Sequence, residues 1–192
     1  GQALPDKVES ILSIEDEFMA DMWHSEKTDE GLLRVTIDRK DRPVNALSRS
    51  VMEELGELVR TIRSDKSIRG VMFQSGKPSI FIAGADITEF DDLTDTAAAE
   101  EVSTFGQSVF QELEELKVPT VALISGACLG GGLEFALACR YRVTSSHANT
   151  KLGLPEAQLG LLHGWGGTVR LPRQIGLIDA LPLVLPGRQL GG

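Results

Sequence analysis

At 192 residues the chain has the length of one domain, and its 42% hydrophobic and 24% charged residues are those of an ordinary globular protein. Its net charge of -9, from 19 basic and 28 acidic residues, disfavours a nucleic-acid partner, because phosphate binding needs a concentrated excess of Lys and Arg. No apolar run approaches the ~20 residues of a membrane span and no secretory leader is visible, so the expected location is cytoplasmic in a bacterium or an organelle matrix.

Residues 1–28 read as an N-terminal extension to a domain covering 29–192. In the extension Ile11, Ile14, Phe18 and Met22 stand at helical spacing, which fits a helix within residues 5–22. "GLLRVTIDR" (31–39) is rich in strand formers, and "KDRPVNALS" supplies a turn. Met52, Leu55, Leu58, Val59 and Ile62 then draw one apolar helical stripe. A second strand, 68–76, leads into the loop "KPSIFIAGADITEF", and Val102, Phe105, Val109, Leu113 and Leu116 mark a second amphipathic helix ending before Pro119. "TVALISG" (120–126) is a third strand, running into "ACLGGG" and a helix from about Leu133 to Cys139; "YRVTSS" (141–146) is a further short strand. Pro182 and Pro186 limit any helix near the end to a short one. Strands alternating with crossover helices imply βαβ units and a mostly parallel sheet, with ligands bound at loops beyond the carboxyl ends of the strands. Loops 81–89 and 126–132 both fall at such ends.

The glycines of 126–132 admit two readings. They let a backbone approach an anion at a helix N-terminus, or they permit tight strand-to-helix packing. The spacing matches neither a P-loop nor a dinucleotide-binding fingerprint. Glu134 sits in "LEFALA", where every neighbour is apolar. It is either the polar face of an amphipathic helix or a buried carboxyl whose pKa is raised for proton transfer. Glu156 follows Pro155 among leucines. A first-turn position favoured by the helix dipole would explain it alone, whereas two such carboxyls together suit acid–base work. "FIAGADI" is a simple turn or a second set of amide donors for the same oxygen, with Asp86 an N-cap for the helix after it. Arg39, Lys40 and Arg42 form a basic cluster read as a solvated turn in preference to a phosphate site. His24, His147 and His163 show no metal-ligand spacing and no nearby carboxylate pair, Ser125 lacks a nucleophile elbow, and Cys128 and Cys139 read as buried free thiols.

"RPVNALS", "FIAGADITEF", "VPTVALISGACLGGGLEFALAC" and "KLGLPEAQLGLLHGWGGTVRLPRQIG" together resemble the enoyl-CoA hydratase/isomerase (crotonase) family over about residues 31–178, most closely the hydratase module that opens multifunctional fatty-acid β-oxidation proteins. The resemblance implies an α/β, crotonase-like (ClpP/crotonase) spiral of ββα units, here with the C-terminal helices truncated, and coenzyme A thioesters as substrates. By motif position it implies Ala85 and Gly131 as oxyanion-hole donors, Glu134 and Glu156 as the carboxyls acting on water, and Gly164 as a backbone donor that places the water. Val44, Ala46, Ala83, Asp86, Ile87 and Gly130 match segments around the coenzyme A arm. His163 stands where the family commonly has proline. The implied activity is hydration of trans-2-enoyl-CoA to 3-hydroxyacyl-CoA. The alternatives are Δ3,Δ2-enoyl-CoA isomerisation and a non-catalytic acyl-CoA-binding or assembly module. No metal and no cofactor is implied, NAD entering only if a dehydrogenase domain follows. The expected partners are an acyl-CoA and, for the full-length protein, a homo-oligomer or a β-oxidation complex.

Overall fold

The computed structural model describes residues 17–19, 21–93 and 95–192. Among the described residues three strands come first, β1 (Glu17–Met19), β2 (Trp23–Lys27) and β3 (Leu32–Ile37), paired antiparallel as a meander. Helix α1 (Arg49–Ser64) follows, capped by Ser48, whose hydroxyl accepts from Val51 N. Its predicted stripe is the buried face. Three successive turns of one unit come next, each a long strand, a short strand and a helix. They are β4 (Gly70–Ser75), β5 (Ile80–Ile82) and α2 (Thr96–Glu114); β6 (Thr120–Ile124), β7 (Ala127–Leu129) and α3 (Gly131–Ala138); and β8 (Tyr141–Thr144), β9 (Lys151–Gly153) and α4 (Gly167–Ile175). The last turn carries a 3-10 segment, Pro155–Leu159, before α4, and α5 (Leu177–Val184) and β10 (Leu190–Gly191) end the chain.

The long strands form one six-stranded sheet, ordered β1-β2-β3-β4-β6-β8 and parallel from β3 onwards. The short strands stack in a second sheet, β10-β9-β7-β5, parallel from β5 to β9. This is the ββα spiral that the resemblance implies. Reading the residues alone yields only the first sheet, because strands of three residues are too short to show a period of two. The helix expected within 5–22 is corrected where it can be seen: Glu17–Met19 is a strand held by ladder bonds to β2. Residues 5–16 lie outside the described residues. Part of the N-terminal extension is thus built into the same sheet, and Trp23 is fully buried, its Nε1 donating to Val51 O at 3.0 Å.

Phe135 is the hub of the core, with ring centroids of Phe73, Trp23, Phe110 and Phe81 at 5.1, 5.7, 5.9 and 6.1 Å. Every residue of α3 is buried, so the helix runs through the interior with no polar face. Asn45, also fully buried, ties three strand ends together: its Nδ2 donates to Ile37 O, Ser75 Oγ and Phe81 O, and its Oδ1 accepts from Arg39 N. That knot fixes the chain leading into the loop carrying Ala85.

Candidate active site

Two loops converge at one wall of a cavity of about 410 Å3. The first leaves β5 and is drawn against the segment before α1 by a parallel bridge between Leu47 and Ala85. Ala83 N donates to Asn45 O, Leu47 N to Gly84 O, and Asp86 N to Leu47 O. Among the described residues these bonds leave the Ala85 N–H outside the ladder. The second loop runs from β7 into α3, where Gly131, as first residue of the helix, carries an N–H with no intrahelical acceptor. A Cβ built on Gly131 would lie 3.4 Å from Ala85 N, so the two amides are neighbours. Ala83, Ala85, Gly130 and Gly131 all line the cavity.

The packing reading of the glycine run holds at Gly132, while Gly130 meets a different neighbour. Gly130 adopts φ 53°, and a side chain there would meet Glu156 Oε1 at 3.1 Å, so this glycine keeps the carboxyl close to the loop. Gly132 is a packing glycine, since a Cβ would press on the Ile82 side chain at 2.8 Å.

Glu134 is 2% exposed on the wholly buried α3, which excludes the amphipathic reading. Its Oε1 accepts from Gly167 N at 2.7 Å and from Trp165 N at 3.0 Å. Burial dominates its titration and raises the pKa to about 7, the Gly167 amide opposing and the Glu156 charge adding to the rise. The turn that supplies both amides is itself clamped. Arg170 Nη1 donates to Trp165 O at 2.9 Å and its Nε pairs with Glu114 at 2.8 Å, while Gln107 Nε2 donates to Gly164 O at 2.7 Å. The Trp165 ring lies between α2 and α3, over Gly106 and Gly131, edge-on to Phe110.

Glu156 reaches the same cavity from the 3-10 segment Pro155–Leu159. Pro155 starts the 3-10 turn and puts Glu156 in its first turn, as the sequence suggests. Burial raises its pKa, its own backbone N–H and the neighbouring His163 opposing. His163 Nε2 stands 3.4 Å from Glu156 Oε2, which corrects the expectation that no histidine lies near the carboxyl pair. The residues are seven apart in the chain, and Gly160 at φ 73° turns it back between them. Glu134, Glu156 and Gly164 all face the cavity, and Phe90, Leu93, Val102, Leu159, Leu161 and Leu162 make its apolar wall. Sequence reasoning missed Trp165 and this wall. The signal was present in "LGLLHGWGG", where apolar residues recur outside any helical period.

The coenzyme A segment is only partly on the cavity. Ala83, Ile87 and Gly130 line it, whereas Val44 and Ala46 lie beside it across the Leu47–Ala85 bridge. Asp86 caps the 3-10 turn at Ile87–Asp92, as expected of an N-cap, and its Oδ2 accepts from Arg39 Nη1 at 3.0 Å. The Thr88 hydroxyl, and then Arg39, hold its carboxyl below the usual range. The solvated-turn reading therefore fails for Arg39, which is buried and spans Asp86, Asp41 and Ala46 O. Lys40 and Arg42 are exposed. Cys128 and Cys139 are buried free thiols. Among the described residues no group of three or more His, Cys, Asp or Glu is placed to hold a metal, and no helix is long and apolar enough to cross a membrane.

Known proteins resemble this chain in sequence and in fold. The enoyl-CoA hydratase/isomerase family matches residues 27–192. The fatty acid oxidation complex subunit alpha of Idiomarina loihiensis is 48% identical over 165 residues, which is 86% of this chain but 23% of that protein. The subunit of the same description from Aliivibrio fischeri is 48% identical over 85% of this chain and 24% of its own. The chain thus spans about a quarter of the length of these relatives. Among solved structures, enoyl-CoA hydratase from Bacillus anthracis superposes with TM-score 0.81 at 30% identity, covering 88% of this chain and 64% of that one. Pseudomonas aeruginosa DspI superposes with TM-score 0.83 at 31% identity, covering 90% and 68%. With the spiral fold, the paired loop amides and the family match in agreement, this chain belongs to the enoyl-CoA hydratase/isomerase family.

Proposed function

We propose that the site hydrates trans-2-enoyl-CoA thioesters to 3-hydroxyacyl-CoA, the hydration step of fatty-acid β-oxidation. The observation that carries this reading is the placement of two burial-perturbed carboxyls, Glu134 and Glu156, on one cavity whose wall also offers the Ala85 and Gly131 amides. The thioester oxygen binds between those amides, which hold more tightly as it gains negative charge; losing one such donor typically costs ~100-fold or more in rate. Glu134, its charge supported by two backbone N–H groups, takes a proton from water while the oxygen bonds to the β-carbon. Glu156, protonated, gives its proton to the α-carbon as the enolate collapses. The carboxyl pair neither gains nor loses a proton over these steps; returning the proton from Glu134 to Glu156 resets the site. Water adds across the double bond with no net oxidation or reduction, so this chemistry calls for no redox cofactor. Gly164 helps to seat the water, and the apolar wall accepts the acyl chain.

Assembly into a fatty-acid oxidation complex or homo-oligomer, and a cytoplasmic or matrix location, belong to the same proposal. Two carboxyls on one cavity favour hydration over Δ3,Δ2-isomerisation, which needs only one, and over a purely binding role. The test is loss of the conjugated-thioester absorbance of crotonyl-CoA with the full-length protein. Turnover is expected, falling at least 100-fold in Glu134→Gln. No turnover, or turnover undiminished in that variant, rejects the reading, and product analysis with a 3-enoyl-CoA separates hydratase from isomerase.

A further inference from the structure

His163 is the one group near the carboxyl pair to which the hydration scheme gives no role. Its side chain is 3% exposed, and its Nε2 lies 3.3 Å from Leu154 O and 3.4 Å from Glu156 Oε2. A carbonyl oxygen only accepts, so the ring carries its proton on Nε2; that N–H donates to Leu154 O, and Glu156 Oε2, at 3.4 Å, is close enough to compete for it. Glu156 Oε2 is buried and, among the described residues, has no hydrogen bond of its own, with the histidine Nε2 3.4 Å away. The other carboxyl oxygen, Oε1, faces Gly130 and the amide loop. The two oxygens are therefore differentiated, one turned to the histidine and one to the reacting atoms.

We infer that His163 is a positioning residue for Glu156: as Glu156 gives up its proton, the Nε2–H swings from Leu154 O towards Oε2, keeps Oε1 aimed at the α-carbon and stabilises the carboxylate left behind. The inference rests on the hydratase reading above. Proton transfer from Glu156 to the α-carbon breaks the carboxyl O–H bond and leaves a negative charge in a buried site, where one donated hydrogen bond counts for more than in water. The imidazole donates that bond without contacting substrate. Other charges surround the pair. Glu134 faces it from α3, and in the cleft that His163 lines behind the cavity stand Glu114 from α2 and Arg170 and Arg173 from α4. Arg170 is already paired with Glu114, so the histidine is the donor beside Oε2.

The experiment measures crotonyl-CoA hydration across pH with the full-length protein and three variants. His163→Phe keeps a ring but has no N–H. His163→Gln places an amide N–H near the same point. His163→Ala, assayed with and without free imidazole, covers the case in which the phenylalanine variant misfolds. Glu156 must hold its proton to act as the acid, so the alkaline limb of the kcat profile reports its loss. Without the imidazole the carboxylate is less stable, and that limb moves to higher pH. In His163→Phe kcat is expected to fall roughly tenfold with KM within about twofold, the energy of one hydrogen bond to a charged group. His163→Gln, and imidazole added to His163→Ala, are expected to restore most of kcat and the position of the limb. An unmoved limb in His163→Phe, or equal loss in all variants with no recovery by glutamine or imidazole, overturns the inference while leaving the hydratase reading intact. A wild-type protein that does not hydrate crotonyl-CoA overturns both.

Discussion

Glu134 shows how a single residue is tuned against its own fold. A carboxyl whose pKa is raised to about 7 from 4.5 binds a proton in the folded state that the unfolded chain has released, over the interval between those values. Its favourable contribution is complete below about pH 4.5 and is lost as pH rises through 7. At about 1.4 kcal/mol per pKa unit, the penalty above neutrality is on the order of 3 kcal/mol. Glu134→Gln keeps a carbonyl for the Trp165 and Gly167 amides and removes the charge. It is expected to be more stable than wild type in urea at pH 8 and nearly equal at pH 4, while losing activity. Equal stability differences at the two pH values reject this account. The sequence displayed Glu134 plainly, because a lone acid among apolar residues on a short helix has few innocent explanations. Glu156 was legible for the same reason. His163 was not, since its meaning depends on a chain reversal at Gly160 that brings it back onto Glu156. Arg39 was misread because a basic cluster in a turn looks the same whether its side chains face water or reach a buried acid, here Asp86.

Between elements, Trp165 couples the helices to the site. Its ring occupies the space left by the missing side chain of Gly106 on α2, and a Cβ there would collide with the indole. Replacing an interior helical glycine by alanine ordinarily gains up to ~1 kcal/mol. Overpacking of this kind costs ~1–3 kcal/mol, so Gly106→Ala is expected to lower the urea midpoint instead of raising it. Displacing the indole also shifts the Trp165 amide bonded to Glu134, so activity should fall further than stability. A raised midpoint with unchanged kcat would sink this reading. The long strands and α1 were readable from periodicity. The 3-10 segments and the three-residue strands were not, because they are held by neighbours in space: β7 is paired to β5 and β9, as in Ile80 with Ala127 and Ala127 with Lys151, elements distant in the chain that share no pattern with it.

Over the whole molecule, the two-sheet spiral buries an aromatic core, and several of the apolar side chains left exposed gather in two segments. Leu162 is 91% and Ile178 84% exposed, and Leu159, Leu177 and Leu185 lie within the same two segments, where α5 packs on the 3-10 turn. Soluble monomers rarely display clustered large hydrophobics of this kind. The 192-residue chain made by itself is expected to self-associate in sedimentation and to bind a hydrophobic dye; Leu162→Glu with Ile178→Glu should abolish both. A monomeric wild-type chain that binds no dye removes the prediction. The motifs gave the order of the spiral's turns, yet exposure could not be read from them, since a leucine in a loop looks identical whether covered or bare. Both amides that cradle Glu134 come from more than thirty residues downstream of it. A nascent chain emerging from the ribosome therefore presents α3 before its acid has anything to hold, and the interior cannot seal around an ionised Glu134 until Gly167 has been translated. Synthesis order makes the carboxyl a checkpoint: it must stay wet or protonated until the last third of the final ββα turn arrives to receive it.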